Sequence, residues 1–150
     1  MLQSLFFSLN HPSPHVEHIP TVISTLGRSP CIDAAIPTQR DAPWTKVLTD
    51  VRDGRRRKLT FAIFFRSHPN WPSNACLMRV ASSLCYSGEV VILKVGKHAE
   101  FVNLKTSDRR FALNAVKRYQ LLTLSRIVAD IRGVDQGQCR QFRRLGSADN

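Results

Sequence analysis

Between Lys58 and Phe65 the chain sets Leu59, Phe61, Ile63 and Phe65 on one side of an extended backbone and Thr60, Ala62 and Phe64 on the other. Period two with this many aromatic and branched residues predicts a strand. One face is strongly apolar and the other mostly dry, so this strand belongs inside a sheet. Glu89–Val95 and His98–Leu104 supply the neighbours, joined by Gly96-Lys97. Glycine first in a two-residue link favours a type II′ hairpin. That link sets Ile92 opposite Phe101, Val91 opposite Val102 and Leu93 opposite Glu100, leaving one face of the second strand partly wet.

Three helices are expected around these strands. Asp41 suits a cap and Pro43 a first turn, and Trp44, Val47, Leu48 and Val51 recur at helical spacing, which predicts a helix over about 42–53. Asp53-Gly54 would close that helix; the competing reading of the same dipeptide is a hairpin. Ser73 is read as the cap of a second helix, about 74–86, with Leu77, Val80, Ala81 and Leu84 buried. The third, about 108–131, buries Phe111, Ala112, Ala115, Val116, Tyr119 and Leu122. Its later apolar positions, Leu124, Ile127, Val128 and Ile131, fall on another side at about 100° per residue.

The predicted order is helix, strand, helix, hairpin, helix. This is a small α+β domain over 41–132, with a three-stranded sheet that includes the hairpin at about 89–104 and helices packed on it. A chain of 150 residues has room for one such core. Pro12, Pro14, Pro20, Pro30 and Pro37 interrupt residues 1–40, which are read as poorly ordered. Residues 133–150 read as a loose basic tail.

Charge is divided unevenly. Residues 1–51 carry three basic and four acidic groups, net −1, whereas residues 52–150 carry nineteen basic and seven acidic groups, net +12. A field of that size draws polyanions at long range, whether nucleic acid, an anionic membrane surface or an acidic protein. The densest cluster is Arg52 with Arg55, Arg56, Arg57 and Lys58. A second group, Arg109, Arg110, Lys117 and Arg118, lies away from the apolar stripe of the last helix, with Asn114 among them. Both fit contacts to phosphate. The plainer account is a solvated loop and the polar face every amphipathic helix needs. Phe111 and Tyr119 are placed on the buried side, so no stacking platform is expected.

Other chemistries find little support. Gly54, Gly88 and Gly96 are isolated, with no glycine-rich phosphate loop. His11, His15 and His18 cluster with Glu17, but Pro12 and Pro14 break any helix that would align them. Cys31, Cys76, Cys85 and Cys139 form no CxxC pair, and Cys76 and Cys85 point to opposite sides of one helix. His68 with Cys76 is the one pairing with a nucleophile's chemistry, and Cys76 flanks the apolar stripe. Trp71, in the loop His68–Pro72, is expected to pack down rather than project. No catalytic residue, cofactor or metal is predicted.

No apolar run reaches the ~18 residues that span a bilayer. The N-terminus lacks a basic segment and the first arginine is Arg28, so neither a secretory nor a mitochondrial leader is expected; the cytoplasm or nucleus is, with reduced thiols. The expectation is a non-enzymatic basic module that binds a polyanion, nucleic acid before others. The alternative is a protein–protein interaction domain using Leu124, Ile127, Val128 and Ile131.

Overall fold

The computed structural model describes residues 1–24, 27–36, 43–54, 57–68, 70–80 and 86–120. Two compact units divide the chain, Met1–Arg118 and Tyr119–Asn150. Of the second, Tyr119 and Gln120 are described, both helical. All the strands belong to the first.

The architecture is mostly β, which overturns the small three-stranded sheet. Strands β1 (Leu2–Phe7), β2 (His15–Ile19), β5 (Thr45–Arg52), β6 (Lys58–Ser67), β7 (Gly88–Val95) and β8 (Phe101–Val102) form one six-stranded sheet. Its order is β2-β1-β7-β6-β5, with β8 also on β7, and every pairing is antiparallel. Strands β3 (Thr21–Ser24) and β4 (Gly27–Pro30) make a separate hairpin. Helices are short: α1 (Ile32–Ala35), α2 (Ala75–Val80), a 3₁₀ turn at Thr106–Asp108, and a helical run at 109–120.

Two of the six strands come from residues 2–19, inside the stretch whose prolines suggested poor order. Pro12 and Pro14 fall in the link between β1 and β2, and Pro20 just after β2, where no ladder hydrogen bond is lost. Strand β1 is among the driest in the sheet: Leu2, Leu5, Phe6 and Phe7 are all buried. Each contributes roughly 1.5–3 kcal/mol by leaving water.

The helix expected over 42–53 is strand β5. Its inward face is Val47, Thr49 and Val51, and Lys46, Leu48 and Asp50 are exposed. Thr49 is buried despite its hydroxyl, so the alternation hides behind a residue that looks polar. Asp53-Gly54 therefore turns a hairpin: Val51 pairs with Leu59 and Arg52 with Lys58.

The second hairpin exists with a different register. Val95 pairs with Phe101 and Lys94 with Val102, closed by the Gly96 N–H donating to the Glu100 carbonyl (2.7 Å). The link thus spans 96–100, with Ala99 at φ 63, not a two-residue turn at Gly96-Lys97. Beyond Val102 the chain meets β1, where Leu104 N–H donates to Gln3 O (3.1 Å) and Gln3 N–H to Asn103 Oδ1 (3.0 Å).

Both faces of the sheet are covered. On one, Leu2, Phe6, Ile19, Val91 and Leu93 pack against Ile32 and Ile36, with Trp44, Phe64 and Phe101 at the margin. On the other, Leu5, Phe7, Phe61, Ile63, Val90 and Ile92 are buried, as are Cys76 and Leu77 of α2 and Ala112, Ala115 and Val116 of the helical run. Lys94, on this second face, pairs with Asp108 at 2.7 Å and carries the start of the helical run onto it.

Helix α2 starts one residue later than the sequence suggests: Asn74, not Ser73, is its cap. Asn74 Oδ1 accepts from Leu77 N–H (3.0 Å), and the buried amide Nδ2 donates to Phe7 O (3.0 Å) and Gly88 O (2.7 Å). Gly88 is required beside it, since at φ +158 any Cβ would run into the Arg66 carbonyl. Of the predicted stripe Leu77 is buried and Val80 half-buried; 81–85 lie outside the described residues. So does the last helix beyond 120, with Leu124, Ile127, Val128 and Ile131.

Candidate nucleic-acid interface

The β5–β6 turn is fixed by its own backbone and Asp53. Asp53 N–H donates to Arg57 O (3.0 Å), and Arg57 N–H donates to Asp53 Oδ1 (2.9 Å). That reciprocal pair leaves the Arg57 side chain exposed at the foot of β6. Lys58 follows, exposed and paired with Asp50 at 2.9 Å. The Lys58 hydrogen bond, then the one from Thr60 (2.7 Å), hold the Asp50 carboxyl below its ordinary range.

The helical run returns to the same place. Arg118 Nη1–H donates to Asp50 O at 2.9 Å. Arg110 sits over the Phe111 ring, 4.6 Å from guanidinium carbon to ring centroid. Two open hollows flank Arg57. One, of about 690 Å³, is lined by Arg57, Lys58, Lys94 and Lys97 together with Leu59, Thr60, Val95 and Gly96. The other, of about 560 Å³, is lined by Asp53, Gly54, Arg57, Arg110 and Phe111. Both volumes fall in the range of small-ligand pockets, about 300–1,000 Å³.

Of the residues singled out in the sequence, the fold brings Arg57, Lys58, Arg110 and Arg118 together around the turn. Arg52 is exposed at the end of β5, and Lys117 is exposed on the helical run, seven residues on from Arg110 and so on its side. Arg109 is directed elsewhere, donating to Pro14 O (2.6 Å) in the β1–β2 link. Arg55 and Arg56 lie outside the described residues. Sequence reasoning missed Lys94 and Lys97. Their place depends on the pairing of β6 with β7, which sets Thr60 opposite Val95 and so brings the two hairpin ends together. Phe111, expected on the buried side, is half-buried and lines the smaller hollow with Gly54.

Other candidate chemistry fares poorly. Cys76 is wholly buried, and that burial pushes its thiol up to about 11, away from a thiolate. His68 is engaged locally: its Nδ1 accepts from Asn70 N–H (3.2 Å) and its ring lies 5.9 Å from that of Trp71. Trp71 is half-buried, 5.9 Å from the Arg66 guanidinium. The His11 and His15 rings lie 4.6 Å apart, tilted at 58°, and His15 approaches Glu17 at 3.8 Å, whereas His18 projects from the opposite face of β2. No group of three metal-binding side chains converges among the described residues, and no helix among them is long and apolar enough to cross a membrane. Comparison with protein-family models, curated proteins and solved structures finds no match.

Proposed function

We propose that the protein binds a polyanion, nucleic acid in particular, along the surface that joins the β5–β6 turn, the end of β7 and the start of the helical run. The observation that carries this reading is that Arg57 belongs to two hollows at once. Lys58, Lys94 and Lys97 continue the positive wall on one side and Arg110 on the other. Lys58 and Lys94 each hold a carboxylate, but Arg57, Lys97 and Arg110 have no acidic partner among the described residues. Cations so placed take up phosphate oxygens and release the counterions around them.

The test is a titration of fluorescent RNA and duplex DNA at 50 and 200 mM salt. With about four phosphates neutralised, affinity for a single strand falls roughly 50-fold over that range. Arg57→Ala and Arg110→Ala weaken binding and flatten the salt dependence. Absence of binding at 50 mM salt, or affinity untouched by both substitutions, overturns the reading.

A further inference from the structure

The two hollows differ in chemistry, and the difference bears on the form of nucleic acid. Among the described residues the larger is lined by four cations and no carboxylate. The smaller contains Asp53 together with Phe111 and Arg110. There the guanidinium is held over an aromatic ring at 4.6 Å. An arginine plane backed by a ring is a surface on which an unpaired base stacks. Gly54 leaves the approach open on this side: apart from its chain neighbours, no described residue lies within 4 Å of where its Cβ would be.

Resting on the polyanion reading, we infer that the Gly54–Phe111 hollow receives an unpaired nucleobase while the neighbouring phosphate lies on the Arg57–Lys97 side. The chain therefore selects single-stranded over duplex nucleic acid, because both faces of a base inside a duplex are already stacked on its neighbours. Arg57, common to both hollows, marks where backbone and base part. The larger hollow reads charge alone and the smaller one reads the presence of a base.

Gly54 provides a test that leaves every charge in place. Its backbone is not in the left-handed region and no described residue beyond its chain neighbours lies within 4 Å of the Cβ position, so Gly54→Leu adds bulk at the hollow without displacing one. Three fluorescent probes of equal length are compared by anisotropy at 50 mM salt: a single-stranded oligonucleotide, the same strand with abasic sugars, and a duplex. The native chain is expected to bind the base-bearing strand about tenfold more tightly than the abasic one, the scale of one stacked base. Gly54→Leu and Phe111→Leu abolish that ratio, whereas Arg57→Ala weakens all three probes. Equal binding of base-bearing and abasic strands by the native chain overturns the inference and leaves the polyanion reading standing. So does a ratio that survives Gly54→Leu. Failure of all three probes to bind removes the polyanion reading itself.

Discussion

Arg66 and Glu89 face each other across β6 and β7, with Arg66 Nη2 2.8 Å from Glu89 Oε2 and both side chains almost wholly buried. Trp44 covers the guanidinium at 4.5 Å, and the Ile36 carbonyl accepts a further hydrogen bond from it at 3.3 Å. One residue thus ties the centre of the sheet to the end of α1 and the entry to β5. A buried pair of this kind gains little over an apolar replacement of equal volume, yet losing one partner strands the other charge. Arg66→Met is therefore expected to cost about 3–5 kcal/mol in urea unfolding, and Glu89→Leu a similar amount. The double substitution should recover much of either loss. Costs that simply add would show that the two charges do not depend on each other.

Asn74 holds three parts of the chain with one side chain, through Leu77 N–H, Phe7 O and Gly88 O. Asn74→Ala removes the cap, at about 1 kcal/mol, and leaves two buried carbonyls without a donor, for an expected total of about 2–4 kcal/mol. Asn74→Asp keeps the cap but turns a carboxylate towards both carbonyl oxygens, so it should destabilise at least as much at neutral pH. Hydrogen exchange separates the two effects: the Leu77 amide loses protection in the alanine variant and keeps it in the aspartate variant.

These residues also show what the sequence conceals. Strand β6 is legible because its apolar residues alternate without interruption, and α2 because its stripe is regular. Strand β5 is not, since Thr49 occupies a buried position and Leu48 an exposed one, which mimics helical spacing. Strand β1 escapes notice because six residues beside two prolines look like a tail until β7 is there to pair with Leu5, Phe6 and Phe7. Arg66 and Glu89 carry no local sign of burial; only the register of β6 on β7 joins them. The candidate site divides in the same way. Its arginine run is visible in the sequence, whereas Lys94, Lys97 and Phe111 reach it through long-range pairing.

Asp50 sits among the cations of the proposed interface and restrains one of them, Lys58, at 2.9 Å. Asp50→Asn frees that ammonium and removes a negative charge from the proposed phosphate path. Affinity for RNA at 50 mM salt should rise about three- to tenfold, and stability should fall by no more than about 1 kcal/mol, because the pair is exposed. The Asp50 carboxyl is held below its ordinary value of 3.8, so its contribution to stability is present above about pH 4 and fades as pH falls through the lowered value. The asparagine variant should lack that component of acid sensitivity. Weaker RNA binding by Asp50→Asn would place Asp50 among the groups that support the interface rather than compete with its ligand.

Cys76 is wholly buried at the start of α2, and loss of solvent raises its thiol from an ordinary 9.0 to about 11, against a smaller opposing pull from Arg79 and Arg109. In the native protein the thiol keeps its proton where an unfolded chain would release it. A raised value in the folded state means that the associated stability is fully present below about pH 9 and is lost as pH climbs towards 11. Lysines and tyrosines also titrate there, so the relevant quantity is the difference between the native chain and Cys76→Ala. The native chain should lose stability more steeply over that interval, although the alanine variant starts lower because a buried sulfur has been removed. At pH 8 a thiol reagent should label native Cys76 at least about tenfold more slowly than a free cysteine, since the thiolate is the reactive form. Rapid labelling of the folded protein would show that the α2 face opens readily, and parallel pH profiles for the two chains would show that the Cys76 proton is not held by the fold.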